Sequence, residues 1–410
     1  MAFGDSPYDE SLRNAWKTFC ERLQEAGDRA FKDYNPPTPL QRADAFRFLT
    51  QNLGQAFDRA LETKDTQYPA LHAFCNPTRK LGGDAADFVY IQAWIDGQSV
   101  YKITGNRGTC RFLNFTVQGP RPEKQPATGW PSLHDPFGDI PEANLFGTQL
   151  KSEWDGSFEL YIGGPERGPN WLPTTPGSRK PFLRQGFDRW EELPARMRIE
   201  RIGMTEPKPM PTPERMMEAM DWAGTFVTSM MRDWPDHPYQ YTPARYLDWI
   251  NQFPPDPADS VASDRKRGRA AANMAWAIAP DEALIVEFNS HSGFWMMSNM
   301  GSFMSSMDYL YRPVSFTPSR TKVDGDGKVR LILCHDDPGY HNWIDTSGFE
   351  TGNITSRNVL SEVYINYRTR LVKRSEVAAA VPIDSPRVSK EERTQLMLER
   401  FHAIQERYSL

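Results

Sequence analysis

The sequence has few cysteines, and they are far apart. Its four cysteines are Cys20, Cys75, Cys110 and Cys334, and no two of them form a C-x-x-C pair. This spacing excludes a disulfide framework of the kind found in small secreted domains, and it excludes a cysteine-ligated zinc site. We therefore expect free thiols.

Long apolar runs and a surplus of basic residues are also missing. No window approaches the roughly 18 to 20 consecutive apolar residues that a membrane-spanning helix needs. The first residues lack the basic and apolar regions of a secretion signal. The 48 basic residues face 53 acidic ones, a net charge of -5, which argues against a surface that neutralises nucleic-acid phosphates. We expect a cytoplasmic protein that binds neither membranes nor nucleic acids.

Several catalytic and cofactor motifs are absent as well. The sequence contains no G-x-S-x-G, no G-x-x-x-x-G-K-[ST], no H-E-x-x-H and no G-x-G-x-x-G after a predicted strand. These absences argue against nucleotide cofactors and against serine hydrolases of the α/β type. We expect the protein to use no cofactor.

What is present is a chain long enough for more than one hydrophobic core, with 410 residues of which 39% are hydrophobic. Amphipathic periods and capping boxes, such as Thr38-x-x-Gln41 and Ser389-x-x-Glu392, predict helices in three places. These are an N-terminal helical segment (1–80), a linker and helical insertion (203–264) and a C-terminal helical tail (376–410).

Between the helical parts, short β-branched and aromatic runs separated by glycines predict strands in two similar units. In both units a turn and a strand lead to an Asn-Trp pair, then a glycine and an arginine. The members are Asn170, Trp171, Gly177 and Arg184 in one unit and Asn342, Trp343, Gly348 and Arg357 in the other. The prediction is a mainly β protein with helical additions, in which two tandem antiparallel, jelly-roll-like β-sandwich repeats (81–202 and 265–375) are flanked by α-helices.

The repeated residues are best interpreted as structural. An asparagine amide after a Pro-Gly turn satisfies the backbone of the turn, and the indole beside it closes one end of a sandwich. The repeated arginines are also assigned to the scaffold, because a feature present in both units serves a shared fold more naturally than one site. A binding role for Arg357 stays open as an alternative.

At these residues the chain resembles a bacterial family known as domain of unknown function 1214. The shared pattern includes Asn-Trp-Leu/Ile, a glycine and an arginine followed by an acidic-aromatic run, here 184–192. Ser292-Gly293-Phe294-Trp295 is similar to a strand of that family, and Asp337-Pro338-Gly339 with Asn342-Trp343 is the best match. The resemblance covers roughly residues 80 to 200 and 265 to 375. It implies a jelly-roll-like β-sandwich and brings no catalytic mechanism.

The segment 289–299 is the best candidate for a ligand site. If it is a strand, its period of two residues places His291, Trp295, Met297 and Asn299 on one face that is half apolar and half polar. Ligand pockets have this character. The alternative is that the tryptophan and the methionine belong to an ordinary sandwich core, with His291 hydrogen-bonded at its edge.

A divalent-metal site is a weaker alternative. The run from His335 to His341 contains nitrogen and oxygen ligands, but its Asp-Pro-Gly turn directs the two histidines toward different strand ends. We therefore predict no metal site.

The first functional hypothesis is a cofactor-independent enzyme that works by general acid-base chemistry on a small, partly apolar hydroxylated or ester-type substrate, as a hydrolase or a dehydratase-like lyase. His291 is the predicted base, and Tyr309 or Asp308 is its acid partner. The predicted substrate-binding residues are Trp295, Met297, Asn299 and Arg357. The alternatives are a non-catalytic sandwich that binds a carbohydrate or an aromatic compound, and a scaffold that forms homo-oligomers through its C-terminal helix.

Overall fold

The computed structural model describes residues 4–33, 35–120, 139–236, 246–253, 269–359 and 365–408. Most of the proline-rich segment between residues 119 and 136, which the sequence offers as a lid or a contact arm, lies outside these residues. The described α-helices are α1 (Asp9–Asp28), α2 (Pro39–Phe57), α3 (Pro213–Asp236), α4 (Val377–Ala380) and α5 (Lys390–Tyr408). None of them is both long enough and apolar enough to cross a membrane.

The first half of the chain forms one β-sandwich. Its strands are β1 (His72–Ala73), β2 (Phe88–Gln92), β3 (Tyr101–Asn106), β4 (Phe112–Gly119), β5 (Ile140–Phe146), β6 (Ser157–Ile162), β7 (Trp171–Leu172), β8 (Lys180–Gly186) and β9 (Arg196–Arg201). One sheet has the order β1-β2-β8-β4-β5, and the other has the order β7-β6-β3-β9. Inward-facing side chains such as Leu113, Phe115 and Leu160 fill the core between them.

The second half forms another sandwich. Its strands are β10 (Arg269–Ala277), β11 (Glu282–Asn289), β12 (Phe294–Met300), β13 (Ser315–Phe316), β14 (Lys328–Cys334), β15 (Trp343–Asp345), β16 (Thr351–Val359) and β17 (Arg368–Lys373). The sheets have the orders β10-β16-β12-β13 and β15-β14-β11-β17. Apart from β1, each strand of the first sandwich has a counterpart at the same place in the second.

These sheets confirm the predicted fold class, a mainly β protein with helical additions. One detail differs from the expectation of purely antiparallel halves, because β6 pairs with β7, and β14 with β15, in parallel. In each case the connection turns the chain back beside the last residues of the preceding strand, and the short strand then runs in the same direction as that strand. A parallel pair needs such a returning connection.

The Asn-Trp pairs close equivalent corners of the two sandwiches. Asn342 donates to the carbonyls of Lys322 and Arg330 (2.7 and 3.1 Å) and accepts from the Lys322 amide (2.9 Å). Asn170 makes the same three kinds of hydrogen bond in the first sandwich. The tryptophan that follows each asparagine donates its indole N–H to a backbone carbonyl. These contacts agree with a structural role for the repeated pair.

The long helices cover the outer faces of the two inner sheets, β1-β2-β8-β4-β5 and β10-β16-β12-β13. Phe19 of α1, Phe48 of α2 and Phe226 of α3 belong to one buried cluster together with Phe88 and Met296 from the strands. Both predicted capping boxes form, since the amide of the last residue in each box donates to the hydroxyl of the first (3.2 Å in α2, 3.1 Å in α5). The helices therefore hold the two sandwiches side by side.

The C-terminal helix α5 buries three arginines at intervals of seven residues. Arg393, Arg400 and Arg407 lie on one face of the helix, and their guanidinium groups contact the rings of Trp343 and Trp190. Each also donates to backbone carbonyls of the sandwiches. The oligomer hypothesis depends on the apolar stripe of this helix, of which Ile404 is buried in the second sandwich with Phe401 and Tyr408 packed beside it. Part of the stripe thus packs against its own chain, and assembly through this helix stays a prediction.

Candidate functional site

His291 lies in the loop between β11 and β12 and is partly buried. Its Nδ1 accepts a hydrogen bond from the Gly293 amide (3.0 Å). Burial lowers the pKa of His291, and a side-chain hydrogen bond with Asn358 opposes this effect. Its predicted acid partners, Tyr309 and Asp308, make their own hydrogen bonds elsewhere. The structure therefore does not join the three predicted catalytic residues into one hydrogen-bonded group.

The predicted apolar face does exist on β12, but it points into the second sandwich. Trp295 and Met297 are completely buried among core side chains. Asn299 accepts from the indole N–H of Trp276 (2.9 Å) and donates to the carbonyl of Asp345 (3.0 Å). In this structure the three side chains pack against and cross-link protein groups, as the core alternative expects.

A different group of polar side chains lies where the two sandwiches meet. Lys80 and Asp84 belong to the segment between β1 and β2, Ser306 belongs to the segment after β12, and Tyr309 follows shortly after it. We call these four residues the junction cluster. They are nearly inaccessible to solvent, with exposed fractions of 4% for Lys80, 3% for Asp84, 4% for Ser306 and 1% for Tyr309.

A continuous chain of hydrogen bonds runs through the junction cluster. The Lys80 ammonium donates to Ser306 Oγ (2.9 Å), and this hydroxyl donates to Asp84 Oδ2 (2.5 Å). The Ser306 amide donates to the other carboxylate oxygen (2.7 Å). Lys80 Nζ also lies 3.4 Å from the centre of the Tyr309 ring. The hydroxyl of Ser306 is therefore held between an amine and a carboxylate.

Burial brings the proton affinities of the two charged groups closer together. It lowers the pKa of Lys80 to about 8, although Asp84 and Asp308 favour the charged amine. It raises the pKa of Asp84, although Lys80, Ser306 and Arg357 favour the carboxylate. Removal from water disfavours the charged form of an acid and of a base alike. A proton can consequently move within this group at a smaller free-energy cost than between the same groups in water.

The backbone around the junction cluster is strained at one residue. Met304 has a φ of 55°, a backbone conformation that residues other than glycine seldom adopt. Its carbonyl accepts from the Gly83 amide (2.7 Å), so this conformation ties the Ser306 loop to the Lys80 loop. Glycine is also required at position 82, because a Cβ there would lie 2.1 Å from Cγ of Trp234. Strained residues of this kind gather at functional sites.

Two further residues predicted from the sequence lie beside the junction cluster. Arg357, on β16, donates to the carbonyl of Gly83 (2.9 Å). Asp308 accepts from the amides of Leu310 and Tyr311 (3.2 and 3.4 Å) and so closes a turn. The structure thus brings Tyr309, Asp308 and Arg357 to one region, although their sequence patterns gave no reason to expect Lys80 beside them.

Sequence patterns do not mark Lys80, Asp84 and Ser306 as site residues, because these residues lie in loops. The available signals were the glycine pair between Lys80 and Asp84 and the serine-rich run after Gly301. Both resemble ordinary turns. Only the tertiary fold shows that Lys80 and Ser306, 226 positions apart, are hydrogen-bonded.

The two histidines of the weaker metal alternative have separate partners. His335 Nδ1 lies 3.1 Å from Thr346 Oγ1, and His341 Nδ1 lies 3.1 Å from Asn342 Oδ1. Within the part of the chain that the structure describes, no group of three histidine, cysteine, aspartate or glutamate side chains is arranged to hold a metal ion.

Comparison with known proteins gives one informative match. An uncharacterized protein from Burkholderia cenocepacia, known from its crystal structure, is 28% identical, with a TM-score of 0.79 over 89% of this chain and 99% of its own. The VPA0106 protein from Vibrio parahaemolyticus is 10% identical over 86% of this chain and 100% of its own, but its TM-score of 0.43 is too low to support an argument. No protein-family model matches the chain, and a search of curated proteins gave no match. Membership of the domain-of-unknown-function family 1214 therefore stays a prediction, while the first match supports the observed fold.

Proposed function

We propose that this protein is a cofactor-independent hydrolase of small esters, with Ser306 as its nucleophile. One observation carries the proposal. The Ser306 hydroxyl is hydrogen-bonded to both the Lys80 amine and the Asp84 carboxylate in a site almost closed to water. A serine is a weak nucleophile until a neighbouring base accepts its proton, and pairs of serine and lysine perform this chemistry on several unrelated folds.

The reaction follows from the positions of the protons. Ser306 Oγ attacks the carbonyl carbon of the ester while its proton passes to neutral Lys80. The leaving alkoxide takes that proton and departs as an alcohol, which leaves an acyl group on Ser306. Water then attacks the acyl group, gives a proton back through the same base and releases a carboxylic acid. Each step conserves charge and protons, and no cofactor is needed.

The closed surroundings favour a small substrate. Ser306 is too buried for a bulky acyl group to reach it without a movement of the covering residues. The side chain of Trp234 lies directly over Gly82 and Gly83, so displacement of this indole is one way to admit a substrate. A site that excludes water also strengthens the electrostatic interactions that assist proton transfer.

The test compares esterase activity and covalent labelling in matched variants. Wild-type protein is assayed with p-nitrophenyl acetate and butyrate, and a fluorophosphonate probe is located by peptide mass spectrometry. We expect the probe on Ser306 and a fall of about 10³-fold or more in kcat/KM for Ser306→Ala. Ser305→Ala is the control, because it removes a buried hydroxyl from the adjacent residue. Circular dichroism establishes that each variant is folded.

Two results would overturn the proposal. One is undiminished turnover in a folded Ser306→Ala variant, and the other is a wild-type protein that neither hydrolyses these esters nor reacts with the probe. Loss of activity in His291→Ala but not in Lys80→Met would instead favour the base predicted from the sequence. Because neutral Lys80 accepts the proton, we expect kcat/KM to rise as the pH increases through about 8. Lys80→Met should lack this rise.

A further inference from the structure

The two inner sheets touch along one row of side chains. The rings of Phe88 and Phe294, one from each sandwich, have centroids 5.8 Å apart. Gly186 lies between them, and a Cβ there would be only 2.6 Å from the Phe294 ring. Gly186 is paired with Phe88 on β2, and Phe294 is paired with Val359 on β16. Gly186 and Val359 are therefore the points on β8 and β16 nearest to the contact.

The repeated arginines, Arg184 and Arg357, lie equally far along their strands from this contact. Arg184 is two residues before Gly186 on β8, and Arg357 is two residues before Val359 on β16. Alternate residues of a strand point to the same face, and two residues span about 6 to 7 Å. The side chains of both arginines therefore project from the outer faces of their sheets, beneath the helices and close to the contact. The duplication has placed two guanidinium groups at one junction.

Polar side chains continue this arrangement across the first sandwich. Arg184 is directly paired with Tyr90 on β2 and with Asn114 on β4, so the three side chains form one row on the outer face. Arg184 donates to Asn114 Oδ1 (3.5 Å) and lies over the Phe182 ring (4.5 Å). Burial raises the pKa of Tyr90, and the positive charges of Arg357 and Arg184 oppose this rise. Both arginines are thus within electrostatic reach of the Tyr90 hydroxyl.

Several donors in this row have no acceptor among the residues that the structure describes. Nδ2 of Asn114, a residue only 1% exposed, is buried without a hydrogen-bond partner, and so is Nε of Arg357. Tyr90, a residue 7% exposed, lies beside them, paired with Arg184 on the neighbouring strand. Leaving a buried donor without an acceptor costs about 1 to 3 kcal/mol. A ligand with several oxygen atoms could accept hydrogen bonds from all of these groups.

We infer that Tyr90, Asn114, Arg184 and Arg357 form a binding site for the carboxylate of an aromatic acid. A carboxylate offers about four acceptor positions and accepts paired hydrogen bonds from a guanidinium group. Phenylalanine rings lie beside the row, since Phe182 is 6.2 Å from the Tyr90 ring and Phe112 is 5.8 Å from the Phe88 ring. They offer flat apolar surfaces to a ring attached to the carboxylate. The negative charge of Asp84, which also reaches Tyr90, acts against the ligand.

This inference deepens the proposed function, because it gives the ester substrate a second, anionic end beside Ser306. It rests on that function only for the statement that the ligand is a substrate. Arg357 connects the two regions, since it donates to Gly83 next to Asp84. Binding of the acid itself requires no reaction at Ser306.

The test uses benzoate as the probe and benzamide as its uncharged analogue, with binding measured by isothermal titration calorimetry. We expect benzoate to bind and benzamide to bind at least about tenfold more weakly, because only the carboxylate carries charge for the two guanidinium groups. Tyr90→Phe should weaken benzoate binding about tenfold, and Arg357→Gln should weaken it about tenfold to a hundredfold. Asn114→Asp should abolish binding, because it adds a negative charge in the same row.

Tyr101→Phe is the matched control. Tyr101 is a buried tyrosine of the same sandwich whose hydroxyl donates to the carbonyl of Thr66 (2.7 Å), so its loss should perturb the fold without changing benzoate binding. The inference is overturned if wild-type protein does not bind benzoate, if benzamide binds equally well, or if folded Tyr90→Phe binds like wild type. Ser306→Ala should bind benzoate normally, so a failure of the hydrolase proposal and a failure of this site can be told apart.

Discussion

The sharpest prediction concerns the coupling between Lys80 and Asp84. The perturbations are Lys80→Met, which keeps the length of the side chain without its charge, and Asp84→Asn, which keeps an oxygen acceptor for Ser306. At pH 7 the amine is mostly charged, because its pKa is about 8. Each single variant therefore leaves the other charged group buried without its main counterion.

The expected size follows from the burial of both groups. Removing one partner of a directly contacting buried ion pair costs about 3 to 5 kcal/mol, because an uncompensated charge remains. Lys80 and Asp84 interact through Ser306 rather than by direct contact, so we expect about 3 kcal/mol for each single change. The double variant leaves no buried charge, so its cost should be no larger than that of either single change, about 3 kcal/mol. The two changes together then imply a coupling free energy of about 3 kcal/mol, of the order measured for charged groups that share one network.

Urea unfolding at pH 7, followed by tryptophan fluorescence, gives the free energy of unfolding for all four proteins of the cycle. The reference pair is Lys17→Met with Glu21→Gln, an exposed ion pair in α1 whose charged atoms are 3.9 Å apart. This pair should couple by less than about 0.5 kcal/mol. Effects of Lys80→Met and Asp84→Asn that add within about 0.5 kcal/mol would refute the junction cluster as a coupled charge network.

Three further predictions concern stability. Between pH 8 and 10.5 the unfolded chain keeps the Lys80 proton that the folded chain has lost. The free energy of unfolding of wild type should therefore rise with pH relative to that of Lys80→Met. A parallel pH dependence of the two proteins would contradict this. Asn342→Ala should lower the free energy of unfolding in urea by about 2 to 4 kcal/mol, and Asn170→Ala should lower it less, because of these two residues only Asn342 is buried. Equal losses in the two variants would contradict this prediction. Gly82→Ala should lower the free energy of unfolding by about 3 kcal/mol or more in the same assay, because its Cβ would lie 2.1 Å from an indole carbon. Gly168→Ala, which meets open space at a φ of 75°, should lower it by about 1 kcal/mol. A tolerated Gly82→Ala would show that the indole moves freely.

The mainly β fold could be predicted because the corners of its sandwiches are made by short-range contacts. Asn342 bonds to Lys322 and Arg330, which lie within 20 positions of it, and such contacts leave a recognisable pattern in the sequence. The alternation of β12 likewise predicts that Trp295 and Met297 share a face. Periodicity cannot tell whether that face borders a ligand or the opposite sheet, and here it borders the opposite sheet.

The candidate site could not be predicted because its members come from loops far apart in the chain. The neighbours of Lys80 are fixed by the way the first sandwich docks on the second, and no local pattern encodes that docking. The buried face of α5 escaped prediction for another reason. Arginine is almost never fully buried unless it is paired, so the sequence gives no reason to place Arg400 deep between the helix and the second sandwich, where it lies.

The way α5 is attached has a consequence for the ionic conditions the protein can tolerate. Mobile ions weaken attraction between charges at the surface over a distance of about 10 Å at 0.1 M salt, but they do not enter a packed interior. The guanidinium groups of Arg400 and Arg407 bind carbonyl oxygens and indole or phenyl faces in places that dissolved salt does not reach. The last helix should accordingly remain attached in concentrated sodium chloride, where partners joined by exposed ion pairs come apart.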